Sequence, residues 1–178
     1  MRKSNIEIEA TLGVILCTLM YFKDMPDDMA ARKEFLKKYR NLKLRLKLLI
    51  NDVYEYIIKN AGYDSGVSIG VQNQINNKAK PQRIWEHTIP WDVFFFYLVK
   101  KKFTSTADLY DYLKRTFCPC WITSDENRRL DAAGLKSKMP DDWERWDDRY
   151  KSTGVGINLS KQPRNPSNPS LNITKWNL

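Results

Sequence analysis

A strongly basic amphipathic segment at residues 32–47 limits the folds open to this chain. Eight basic residues there stand against the single acid Glu34, and they are Arg32, Lys33, Lys37, Lys38, Arg40, Lys43, Arg45 and Lys47. Apolar residues recur through and beyond the segment in steps of four and three, namely Phe35, Tyr39, Leu42, Leu46, Leu49, Val53 and Tyr56. That spacing places them on one side of a helix. The pattern predicts a helix that packs on a core and turns its cations to solvent.

The same periodicity predicts one long second helix over residues 26–60, preceded by a first helix at Asn5–Phe22. Pro26 opens the second helix, and Asp27 and Asp28 fall in its first turn. Two such helices in succession predict an antiparallel hairpin. The apolar side of the 26–60 helix also offers a seam for a protein partner or for a homodimer.

Composition bounds the class of protein and its partners. The 178 residues are 42% hydrophobic and 12% aromatic, which suffices for a buried core in one globular domain. The net charge of +9 and the pI of about 9.4 favour attraction to phosphate backbones, so DNA or RNA is the first partner expected. The three cysteines form no disulfide framework, and the apolar run Ala10–Phe22 is shorter than the roughly 20 residues that span a bilayer. A cytoplasmic protein that does not enter the membrane is therefore expected.

The predicted domain covers residues 1–156, with a helical hairpin at 1–62, a loop or β-hairpin at 63–89 and a helical unit at 90–156. In the middle section two short alternating runs flank a polar stretch, which predicts a β-hairpin, with an irregular loop as the alternative. Residues 157–178 are rich in Asn, Ser and Pro and predict a flexible or extended tail. The expected fold class is mainly α with a small β element, or α+β, in which the hairpin packs on the C-terminal helical unit.

Helix start and stop signals divide the C-terminal helical unit further. Pro90 begins a strongly apolar helix, and Ser105 caps the next one. Thr123 followed by Glu126 three residues later is typical of a capping box. A final helix is predicted over residues 140–154, because a proline opens it and a glycine closes it.

Six cations of the basic segment are the predicted nucleic-acid contacts: Lys33, Lys37, Arg40, Lys43, Arg45 and Lys47. A row of cations at helical spacing can follow a phosphate backbone and release its condensed counterions. Such binding weakens steeply as salt rises and requires no reading of bases. The alternative is an ordinary solvated surface on a lysine-rich helix.

A second candidate site surrounds the only histidine of the chain, in the string WEHTIP at residues 85–90. An acid and a histidine here precede a proline-started helix, which suits a general base beside a metal-binding acid. The Glu-His-x-x-Pro string resembles the start of the first motif of HNH-type (ββα-metal) nucleases. The resemblance implies a metal-dependent endonuclease in which His87 activates water, with Glu86, Asp92 or Asp108 binding a divalent cation such as magnesium. The alternative is a structural His87 that caps the following helix or bonds a neighbour.

The sequence leaves three functions open. The first is a small nucleic-acid-binding protein that uses the basic segment and needs no cofactor. The second is the metal-dependent nuclease centred on His87. The third is a protein-interaction factor, such as an inhibitor or adaptor, that docks through the long helix or the tail. The sequence contains no glycine-rich phosphate loop that would favour a nucleotide-hydrolysing enzyme.

Overall fold

A computed structural model of the chain describes residues 4–61, 66–78, 83–117, 119–143 and 147–158. These residues are mainly helical with a small four-stranded sheet, which confirms the predicted fold class. They fall into two compact units. The first lies within Met1–Gly62 and Phe96–Lys114, and the second lies within Tyr63–Phe95 and Arg115–Leu178.

The first unit opens with helix α1, Asn5–Leu19, which a single 3-10 turn extends over Met20–Phe22. Ser4 and Glu7 form a capping box at its start, in which the Ser4 hydroxyl accepts from the Glu7 amide at 3.3 Å. The helix predicted over the same residues is therefore confirmed, and its last turn is tighter than the rest.

Within the described residues, Asn5–Phe22 is the one stretch long and apolar enough to cross a membrane by length and composition. Only 33% of that stretch is buried inside the protein. Core helices of water-soluble proteins and signal sequences near an N-terminus meet the same criterion, so the stretch by itself assigns no location.

The single long helix predicted over residues 26–60 is wrong, because two helices replace it: α2 at Met29–Lys38 and α3 at Arg40–Ala61. Tyr39 lies between them with φ −106° and ψ 19°, away from helical values. Its ring packs with those of Phe22 and Phe35, at centroid distances of 5.7 Å and 4.8 Å. Periodicity did not reveal the break because the packing on Phe22 is a tertiary contact.

Helix α2 also begins later than predicted. Asp28 is its N-cap and accepts from the Ala31 amide at 2.8 Å, so Asp27 and Asp28 precede the helix instead of forming its first turn. Asp27 instead makes an ion pair with Lys100 at 2.7 Å. The hydrogen bond from Lys100 is the main reason that the pKa of Asp27 is lowered.

Two contacts fix the direction of α3 against α1. The Tyr56 hydroxyl donates to Asn5 Oδ1 at the start of α1. Toward the end of α1, Val14 and Thr18 share a cavity lining with Leu42. The two helices therefore run antiparallel, which confirms the predicted hairpin even though α2 stands between them in the chain.

The core side of α3 is narrower than the predicted apolar stripe. Its fully buried residues include Leu46, Ile50, Val53 and Ile57. Phe35, Tyr39, Leu42, Leu49 and Tyr56 of the stripe are only half-buried. The predicted stripe is thus offset from the fully buried side of the helix, and other apolar residues of the helix are exposed to solvent.

Two further helices follow later in the chain. Helix α5 spans Trp91–Lys100, beginning directly after Pro90 as predicted. Helix α6 spans Thr106–Thr116, and the predicted cap is confirmed because Ser105 Oγ accepts from the Asp108 amide at 3.1 Å.

The sheet of the second unit has the strand order β2-β3-β1-β4. Its strands are β1 at Gly66–Ser68, β2 at Arg83–His87, β3 at Pro119–Thr123 and β4 at Ile157–Asn158. β3 pairs antiparallel with β2 and parallel with β1. The predicted hairpin between the first two strands is wrong because β3 lies between them.

Helix α4, Ile69–Asn76, covers the end of the predicted first strand and the first five residues of the polar loop predicted at 72–80. Ser68 caps it by accepting from the Val71 amide at 3.1 Å, so the alternating run continues as a helix after three strand residues. The loop prediction failed because the capping serine stands inside a run that alternates like a strand.

At the C-terminal side, the capping box of α7, Ser124–Ala132, is confirmed at Thr123 and Glu126. The helix predicted over residues 140–154 is wrong in its extent, since α8 covers only Asp148–Lys151 and residues 141–142 form a turn. β4 occupies the first two residues of the predicted tail. The rest of that tail, 159–178, lies outside the described residues.

Candidate functional site

The cations of α2 are exposed. Lys33, Lys37 and Lys38 all lie at the solvent surface. Lys37 pairs with Glu34 one turn away at 2.5 Å, and both side chains are mostly exposed. Pairs of this kind contribute little binding or stability because water screens them.

Arg32, the first residue of the basic segment, is less exposed than these lysines. Its Nε donates to the Pro26 carbonyl at 3.2 Å, and its Nη2 donates to the Asp27 carbonyl. The guanidinium also lies 3.9 Å from the ring centroid of Phe96, a cation–π contact. Arg32 is therefore held within the first unit and closes the turn before α2.

The cations of α3 divide between two flanks of the helix. Each residue advances an α-helix by about 100°, so Arg40, Lys43 and Lys47 fall within an arc of about 60°. Arg45 stands at least about 140° from each of them. Arg40 and Arg45 are exposed, while Lys43 and Lys47 are half-buried. Arg45 therefore belongs to a different surface from the other cations of α3.

That different surface is a groove between α1 and α3, with a cavity volume of about 390 Å³. Its lining includes Val14 and Thr18 from α1 and Leu49, Arg45 and Asp52 from α3. Arg45 and Asp52 are seven residues apart, two turns along the same side of the helix. The groove is thus lined mainly by apolar residues and carries one cation and one anion two helical turns apart.

Two of the candidate nuclease residues, Glu86 and His87, lie on the sheet of the second unit, where their neighbours are structural. Glu86 and His87 end β2, opposite Cys120 and Pro119 of β3. The Glu86 carboxylate pairs with Nη2 of Arg149 at 2.5 Å. A carboxylate that already pairs with a buried guanidinium is less available to bind a metal ion.

Arg149 is fully buried, and it is the residue that sequence reasoning missed. Its Nε donates to the Thr88 carbonyl at 3.0 Å, and its Nη1 donates to the Leu135 carbonyl at 3.0 Å. Nη2 donates to the His87 carbonyl as well as to Glu86. No sequence signal marks it, because arginine is seldom buried and its partners come from distant segments.

The charge of Arg149 is maintained despite its burial. Burial opposes the charged form most strongly, but Tyr150 and Glu86 outweigh it, and the pKa of Arg149 is raised. Burial also raises the pKa of Tyr150 well above its ordinary value. The Tyr150 hydroxyl accepts from Arg149 Nη2 at 3.0 Å, so a charged guanidinium and a neutral phenol share the core of this unit.

The imidazole of His87 lies among aromatic rings. Its ring centroid is 5.2 Å from that of Phe117 and 6.4 Å from that of Trp91, and the side chain is half-buried. Phe117 is buried, and its ring packs on Phe94 at 5.1 Å. These contacts give His87 a packing role among the rings of this unit.

The two proposed metal-binding aspartates lie in helix starts. Asp92 is exposed in the first turn of α5, where a carboxylate suits the helix dipole. Asp108 accepts from the Thr104 amide at 3.2 Å at the start of α6. Among the residues that the structure describes, no group of three or more His, Cys, Asp or Glu side chains is arranged to hold a metal ion.

Comparison with models of protein families, with characterised proteins and with solved structures finds no match to this chain. Its own residues therefore carry the functional argument.

Proposed function

We propose that this protein binds the phosphate backbone of nucleic acid through the basic segment, residues 32–47. The observation that carries the proposal is a concentration of charge: eight cations and one acid give this segment +7 of the chain's net +9. Lys33, Lys37, Lys38 and Arg40 are exposed on two consecutive helices. Exposed cations on a rigid helical scaffold can approach successive phosphates without a large ordering cost.

The contacts of the remaining cations refine the binding surface. Arg32 is engaged in carbonyl and aromatic contacts, and Arg45 lines the groove with α1. We therefore assign the binding to Lys33, Lys37, Lys38 and Arg40, with the half-buried Lys43 and Lys47 on the same flank of α3 as Arg40. A surface of this kind reads charge and spacing and does not read base identity.

The experiment is a fluorescence anisotropy titration of labelled duplex DNA, single-stranded DNA and RNA at several salt concentrations. The affinity is expected to fall linearly on a double logarithmic plot against salt, with a slope of about −0.9 for each phosphate contacted on duplex DNA. The triple variant Lys33→Glu/Lys37→Glu/Arg40→Glu should bind far more weakly, and its salt slope should be shallower.

A matched control separates a local surface from net charge. Lys23, Lys102 and Lys138 are also exposed, and reversing all three to Glu changes the total charge by the same amount. The control variant should keep most of the affinity and the original salt slope. Equal losses in both triple variants would show that binding depends on overall charge alone, and the assignment to the basic segment would be withdrawn.

A further inference from the structure

The first unit has an apolar edge beside the groove between α1 and α3. On α3, Leu44 and Leu48 stand one turn apart and are each 56% exposed. On α1, Val14 is 52% exposed and borders the same groove. Leucines four residues apart on a helix form a ridge that can pack against a second helix. The ridge and the groove are therefore neighbours on one surface.

This surface also carries two opposite charges. Arg45 and Asp52 line the groove at either end of a two-turn stretch that contains Leu48. An antiparallel copy of α3, related by a two-fold axis beside Leu48, brings Arg45 of each chain opposite Asp52 of the other. A surface with opposite charges placed symmetrically about an exposed apolar residue is complementary to itself, as a two-fold interface requires.

We propose that a second copy of this chain docks here, so that the protein forms a homodimer through α1 and α3. The Leu44–Leu48 ridges of the two copies pack against each other across the two-fold axis, and two Arg45–Asp52 ion pairs fix the antiparallel register. This inference is independent of nucleic-acid binding, because the dimer surface uses Leu44, Arg45, Leu48 and Asp52, none of which is assigned to nucleic acid.

The same surface fits an anionic lipid headgroup layer less well. Asp52 and Glu55 are exposed at the C-terminal end of the ridge, where a negatively charged membrane would repel them. In the two-fold arrangement Asp52 instead faces Arg45 of the second copy, so charge complementarity favours a second copy.

The first test is the mass of the full chain in solution, measured by light scattering and by sedimentation over a range of concentrations. The wild-type protein should approach twice the 21.0 kDa of one chain as its concentration rises. Leu48→Asp should weaken the dimer by about thirtyfold or more, as at other buried interface positions. Because Leu48 is exposed in the single chain, this variant should keep the wild-type circular dichroism spectrum.

A charge-swap experiment tests the register. Arg45→Asp alone places four acids around the interface, and Asp52→Arg alone places four cations there, so each variant should be monomeric. An equimolar mixture of the two should form a mixed dimer, because every cation then faces an acid. Arg40→Asp, on the opposite flank of α3, is the control and should dimerise like the wild type.

Three results would overturn the proposal. The first is a wild-type mass of one chain at every concentration. The second is a mixture of Arg45→Asp and Asp52→Arg that stays monomeric while the wild type dimerises. The third is a monomeric wild type that sediments with phosphatidylglycerol vesicles and loses them on Leu48→Asp, which would assign the apolar edge to lipid.

Discussion

Arg149 Nη2 donates to Glu86 Oε1 across 2.5 Å in the interior of the second unit, and the two residues are 63 positions apart in the chain. The arginine side chain is completely buried, and the glutamate is 18% exposed. This pair joins the end of β2 to α8. It also makes Glu86, a candidate catalytic acid from the sequence, the counter-ion of a structural guanidinium.

Removing Arg149 should therefore destabilise the protein strongly. Arg149→Ala leaves the largely buried Glu86 carboxylate and several carbonyl groups without their donor, and we expect a loss of about 3–5 kcal/mol in the free energy of unfolding. Urea denaturation followed by circular dichroism measures it. The matched control is Arg128→Ala, which breaks an exposed pair with Asp125 and should cost at most about 1 kcal/mol. Similar losses for both variants would contradict the structural role of Arg149.

Two glycines should respond in opposite directions to alanine. A Cβ at Gly70 would lie 2.6 Å from Glu126 Oε1, a carboxylate that also accepts from the Thr123 amide at 2.7 Å. Gly70→Ala should therefore cost about 1–3 kcal/mol of stability. Gly13 lies inside α1 with no heavy atom within 4 Å of its Cβ position, so Gly13→Ala should stabilise by about 0.5–1 kcal/mol. Thermal unfolding of both variants checks the signs, and a stabilising Gly70→Ala would refute the close approach.

Stability should fall at alkaline pH through Tyr97. Burial raises the pKa of Tyr97 from 10.0 to about 12. Because the folded-state pKa exceeds the unfolded one, the stabilisation is complete below pH 10.0 and is lost as the pH rises toward about 12. Phenolate absorbance during a pH titration should show a tyrosine ionising near that value, and Tyr97→Phe should remove it. An unchanged titration curve in the variant would count against this environment.

His87 should be dispensable for nucleic-acid binding. Its ring packs on Phe117 and Trp91, so His87→Ala should cost packing energy but leave the affinity and salt slope of nucleic acid unchanged. Incubation of wild type and variant with supercoiled DNA and magnesium tests the alternative function in the same experiment. Magnesium-dependent nicking by the wild type that disappears in His87→Ala would establish the nuclease hypothesis in place of a packing role.

Local signals predicted several elements of the fold well. The capping box at Thr123, the cap at Ser105 and the proline before α5 were legible because each depends on residues within one helical turn. The antiparallel pairing of α1 with α3 followed from their apolar spacing. By contrast, the break at Tyr39 and the helix α4 were missed, since periodicity alone does not distinguish a continuous helix or strand from one that a tertiary contact or cap interrupts.

The sequence likewise predicted only part of the candidate sites. The sequence identified the cations of the basic segment, because charge and exposure on a helix follow from spacing. It did not identify which flank of α3 each cation occupies relative to α1, and so it grouped Arg45 with residues on the opposite flank. It also selected His87 and Glu86 by residue type, while their neighbours in space are Phe117 and Arg149.

The sequence by itself determined that this protein is mainly helical and strongly basic, with most of its net positive charge between residues 32 and 47, because composition and short-range periodicity carry that information. Only the tertiary structure decided the strand order, the burial of Arg149 and the separation of Arg45 from the other cations. These properties arise from contacts between segments far apart in the chain, where the free energy of burying one group depends on partners that no local pattern specifies.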